Sequence, residues 1–83
     1  MIKHFALVNL MATHRDTLIS LVDHCYHHDP TALRMFSDFC KEHELTLALS
    51  RTLWDMSVRQ WVKLSGVQLS PHVLRLQRQY EWL

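Results

Sequence analysis

The sequence predicts an all-α fold, a small bundle of four to five helices with a long helix at its N-terminal end. Three observations carry that expectation. Apolar residues recur at helical spacing along most of the chain. One glycine and two prolines leave few breaks. The 48% hydrophobic content is rich in leucine, which suits helices better than sandwiches or barrels. At 83 residues the chain makes one domain, spanning 1–83.

The first helix is expected from about Ile2 to His27. Ile2, Phe5, Ala6 and Leu10, then Leu18, Ile19, Val22 and Tyr26, form its apolar stripe. A dent falls near Thr13 and His14, and Asp16 with Thr17 can start a second helix there, so one helix or two stays open. His28-Asp29-Pro30-Thr31 is a break. Asp29 can cap, and Pro30 suits a first helical position, so a new helix runs to about His43 with Leu33, Phe36 and then Phe39 or Cys40 on its inner face. Glu44 to Trp54 reads as a third helix, with Leu45, Leu49 and Leu53 four apart and Leu47 and Ala48 widening the stripe.

Ser57 reads as the N-cap of a further short helix. Val58, Trp61, Val62 and Leu64 give its apolar side, and Arg59, Gln60 and Lys63 fall between them. Gly66, the single glycine, can end it in the left-handed conformation. The tail from His72 to Leu83 fits a helical face through Val73, Leu76, Tyr80 and Leu83. It also alternates like a strand, with Arg75, Gln77, Gln79 and Glu81 between apolar residues. Helix is favoured, because Gln, Arg and Glu prefer it.

Composition narrows the function. A chain this short buries only about 60–65% of its unfolded surface, so its apolar content exceeds what a monomer easily hides. The surplus points to self-association or a protein partner. No apolar run could span a bilayer. Met1 to Leu10 has one basic residue and no long apolar core, so no secretory signal is read, and a cytoplasmic protein with reduced Cys25 and Cys40 is expected. The net charge of +1 hides an asymmetry. Residues 1–50 carry four basic and six acidic residues, residues 51–83 five basic and two acidic. Such a basic end permits nucleic-acid contact but supplies fewer charges than a free-standing DNA binder spends on phosphates.

Three constellations could carry chemistry. Seven histidines are many for this length. Cys25, His28, Cys40 and His43 make two Cys-x2-His pairs, a spacing similar to structural zinc sites. Against zinc, cysteine is often a small core residue, and the turn residues usual around such pairs are absent. A Cys beside a His could also be a nucleophile pair, but no glycine-rich or oxyanion-hole segment accompanies it, so no enzyme and no cofactor are expected. The third constellation is the C-terminal end. Arg59, Lys63, Arg75 and Arg78 could contact DNA or a partner, or form a solvated face. Trp54, Trp61, Leu64, Leu69, Tyr80 and Trp82 could anchor a dimer or partner interface, or be core.

Thr52-Leu53, Gln60, Val62-Lys63-Leu64, Leu69, His72 and Arg75 together resemble the FlhD family of bacterial transcriptional activator subunits. Lys3-His4, Asn9-Leu10, Asp29, Ala32 and Phe36 agree in part with the family's earlier stretches. Met11 to Arg15 replace its Leu-rich run, and Pro71 stands where family members commonly have a Cys that bridges subunits. The resemblance implies a non-enzymatic subunit without its own zinc, forming an intertwined homodimer. It also implies binding to a larger FlhC-like partner and contact with promoter DNA as part of that complex, with an extended segment around Val73 to Leu76. Two other readings compete: a small helical interaction protein, such as a phage or plasmid inhibitor docking on a host enzyme, and a Cys/His zinc-stabilised module.

Overall fold

The computed structural model describes residues 4–27 and 29–66. They form four α-helices, and no strand occurs among the described residues. The helices are α1 (His4–Thr13), α2 (Arg15–Tyr26), α3 (Pro30–Glu42) and α4 (Leu47–Ser65). The all-α expectation holds. The tail 67–83, with its choice between helix and strand, lies outside the described residues.

The expected long first helix is divided at His14. Its backbone moves to φ −113°, ψ 24°. The hydrogen-bond ladder nevertheless continues through the break, His14 N–H to the Leu10 carbonyl and Leu18 N–H to that of His14. The break is therefore a bend of the chain direction with little loss of bonding. Thr13 contributes, because its hydroxyl donates back to the Asn9 carbonyl at 2.9 Å, a contact that tends to bend helices. Beyond the bend α1 lies on α4.

Asp29 joins the next two helices. Its backbone N–H closes α2 on the His24 carbonyl, while its carboxylate accepts from Thr31 N–H at the head of α3. Pro30 follows at the first helical position, as the sequence predicts. At its other end α3 stops in a Schellman turn. Leu45 N–H reaches back to the Cys40 carbonyl and Glu44 N–H to that of Lys41. Glu44 occupies the left-handed position at φ +56°, where glycine is usual. Thr46 then caps α4, its hydroxyl accepting from Leu49 N–H.

The expected third and fourth helices are one helix. Ser57 is not an N-cap. It is buried in the middle of α4, with its hydroxyl donating 2.7 Å to the Leu53 carbonyl of its own helix and 3.5 Å from the Met11 sulfur of α1. Ser50, Thr52 and Ser65 also bond back to the carbonyls of Thr46, Ala48 and Trp61. The buried face of α4 is Ser50, Leu53, Trp54, Ser57, Val58 and Trp61, an uninterrupted helical repeat two of whose members are serines. Gly66 ends the helix at φ +69°, donating its N–H to the Val62 carbonyl, as expected.

The helix α2 packs against each of the other three. Leu7 and Met11 (α1), Leu18 and Val22 (α2), Leu33 and Phe36 (α3), and Leu53 and Val58 (α4) meet in one core. Among the described residues no buried side-chain nitrogen or oxygen lacks a hydrogen-bond partner. No described helix is long and apolar enough to cross a membrane.

Candidate interaction surface

The structure separates the predicted contact residues into three groups. Arg59, Lys63 and Leu64 are exposed on the last two turns of α4. Arg59 and Lys63 are four apart and so share one side of the helix. Leu64 is 60% exposed beside them, one of the large apolar residues left uncovered. This end of α4 thus presents two cations flanked by an aliphatic side chain.

Trp54 and Trp61, offered by the sequence as interface anchors or core, are core in this structure. They supply no surface, because the chain's own core encloses them at 1% and 3% exposure. Trp54 stands edge-on to Phe36 with ring centroids 5.0 Å apart. Trp61 packs on Tyr26 at 4.7 Å and donates its indole N–H to Asp23 Oδ1. Much of the apolar surplus is therefore absorbed within the bundle. The third group, Leu69, Arg75, Arg78, Tyr80 and Trp82, lies outside the described residues.

The zinc arrangement does not assemble where it can be seen. Cys25 and Cys40 are thiols in the hydrophobic core. His28 lies outside the described residues. Among the described residues no group of three or more metal-donor side chains is gathered. Burial, and then the Asp29 carboxylate, pushes the Cys25 thiol up to about 11. That is opposite to the depression that makes a thiolate nucleophile at neutral pH.

Two surface features escaped the sequence reading. A groove between α2 and α3 is bordered by Asp16, Thr17, His24, Asp29 and Met35. Met35 is half exposed on a helix whose other face is core, and its place follows only once the α3 register is known. The second feature is a triangle of rings. His14, at the bend between α1 and α2, lies 5.1 Å from Phe39 and 5.4 Å from His43, and Phe39 and His43 are 4.4 Å apart. No local motif announces it, because tertiary folding brings the bend to the end of α3.

No known protein family matches the chain, nor does any curated protein or solved structure.

Proposed function

We propose that the chain is a non-enzymatic, cytoplasmic subunit of a heteromeric bacterial transcriptional activator. It pairs with a second copy of itself and with a larger FlhC-like protein, and promoter DNA is held by the complex. The observation that supports this reading is the placement of Gln60-x-Val62-Lys63-Leu64, the segment that most resembles the FlhD family. It occupies the end of α4 where Lys63 and Leu64 are exposed. A cation beside an aliphatic residue suits a mixed surface that docks on protein at the edge of a DNA contact.

The charge available fits shared binding. Each phosphate neutralised contributes one counterion-release step, and tight binding at physiological salt takes several such contacts. Arg59 and Lys63, even with Arg75 and Arg78 of the C-terminal end, supply few such contacts, so in this reading the partner carries the main DNA affinity.

The test is a mobility-shift titration with promoter DNA, using the chain alone, the FlhC-like protein alone and both together. Binding should reach full strength only with both. Arg59→Glu and Lys63→Glu should weaken it while leaving the helical circular-dichroism spectrum unchanged. Undiminished binding by both variants, or tight promoter binding by the chain alone, contradicts the proposal.

A further inference from the structure

We propose that His14 and His43 form a two-imidazole binding site for a late first-row divalent cation of the zinc, nickel and copper class. The two rings come from different elements, the bend between α1 and α2 and the residue that ends α3. Their centroids are 5.4 Å apart. Two imidazoles bound to one metal through nitrogens at about 2.0–2.1 Å, at a tetrahedral angle, place their centroids about 5.2 Å apart. The centroid separation of the pair thus matches that of a chelating one. The second torsion of histidine is broad and soft, so aiming a nitrogen of each ring at a common point requires little rearrangement.

The surroundings favour ligation. Both imidazoles pack against rings, and neither donates to or accepts from another of the described residues. Both are half-buried, so they are held in place yet open to solvent. Phe39 packs against both rings and walls one side of the site with an apolar surface. No third carboxylate, thiol or imidazole joins them among the described residues. The remaining coordination positions are thus for water or an incoming ligand. Imidazole is a borderline donor, which selects zinc, nickel or copper over magnesium or calcium.

Binding there would tie the bend to the end of α3, closing a long loop of chain. The metal would act as a clip that stabilises the α1–α2 angle. This site shares only His43 with the Cys25, His28, Cys40 and His43 arrangement. It uses no thiol and needs no residue outside the described structure.

The experiment is a calorimetric titration of Ni2+ and of Zn2+ into the full, tag-free chain, alongside thermal unfolding with and without metal. Nuclear magnetic resonance of the histidine side chains follows the same titration. The wild type should bind one metal per chain with a rise in unfolding temperature, and the His14 and His43 ring signals should shift together. His14→Gln and His43→Gln should each weaken binding about tenfold or more, since the second ligand's effective concentration is lost. Each should also abolish the thermal shift. His24→Gln with His27→Gln should leave both unchanged. Equal binding by wild type and both single variants overturns the proposal. So does a wild-type titration in which the His14 and His43 signals stay still, a readout that needs no variant to fold.

Discussion

Trp61 donates its indole N–H to Asp23 Oδ1 at 2.9 Å, joining α4 to α2 across the half-open edge of the core. Its ring is packed on Tyr26, one turn further along α2. The carboxylate is half exposed and has His27 Nε2 3.7 Å from the same oxygen. The bond therefore matters mainly to the indole, which is almost wholly buried and has no comparable access to water.

Removing the acceptor should cost more than removing the donor. Asp23→Ala leaves the indole N–H without its charged partner, and a loss of about 1.5–3 kcal/mol is expected. Trp61→Phe frees a carboxylate that water can reach, so its excess cost is mainly that of a smaller ring. A double-mutant cycle by urea denaturation should give a coupling of about 1 kcal/mol or more. A coupling near zero would show that the two side chains act independently.

Ser57 distinguishes a cap from a core residue. At an N-cap, Ser57→Ala would cost about 1 kcal/mol. In the middle of α4 the hydroxyl bonds a carbonyl already within its own helix and makes one long contact to the weakly accepting Met11 sulfur, and alanine is the better helix former by roughly 0.5 kcal/mol. Denaturant unfolding of Ser57→Ala should therefore stay within about 0.5 kcal/mol of wild type. A loss of 1 kcal/mol or more, on the order of a cap's value, would place a helix start there after all.

The same residue shows what the sequence reading could and could not see. Caps made by Asp29 with Pro30, and by Gly66, are chemical signals confined to a few adjacent residues, and both were legible. The partition of the helices was not. Ser57 is a good cap type, and it interrupts the apolar repeat of α4. Only the fold shows that a small hydroxyl bonded to its own helix can occupy a core position. Thr13 and His14 marked the bend in α1–α2, but nothing local decided between a dent and a change of direction, since the hydrogen bonds continue through it. The choice between one helix and two before His27, open in the sequence, falls to two, and the expected third and fourth helices are one, so four helices stand among the described residues although the boundaries differ. For the surface, Arg59 and Lys63 were legible as the polar positions between apolar ones, whereas Leu64 was read with the apolar side and is exposed. Trp54 and Trp61 were not legible, because an apolar stripe does not say whether its cover is the same chain or another. The His14–His43 pairing is purely tertiary.

Glu44 is the one described non-glycine residue in the left-handed region. The Schellman turn that ends α3 imposes this conformation on it. Holding a side chain there costs about 1 kcal/mol, part of which glycine returns through its greater freedom when unfolded. Glu44→Gly should raise stability by about 0.5 kcal/mol, read as a higher urea midpoint at unchanged slope. Gly66→Ala should do the reverse at the end of α4. A Cβ on Gly66 meets nothing within 4 Å, so its cost of about 1 kcal/mol is backbone strain alone. Equal responses at the two positions would contradict this account of the turns.

Alkaline pH should destabilise the fold through Cys25. Its thiol rises from an ordinary 9.0 to about 11, first because burial withholds water from the thiolate, then because the Asp29 carboxylate opposes it. A group whose folded pKa is raised contributes its full stability below the unfolded value and loses it as pH climbs through the folded one. The unfolding free energy from urea denaturation should thus hold up to about pH 9 and fall toward pH 11, by on the order of 2 kcal/mol for this group. Cys25→Ala should flatten that part of the curve. An identical alkaline decline in the variant would assign it to other groups.

The proposed function turns first on self-association, since it pairs the chain with a second copy of itself. The native mass of the purified chain, by electrospray under gentle conditions over a series of micromolar concentrations, tests that most directly. The account predicts a species of two chains, twice the 9.9 kDa of one. A mass corresponding to a single chain throughout the concentration series would contradict it.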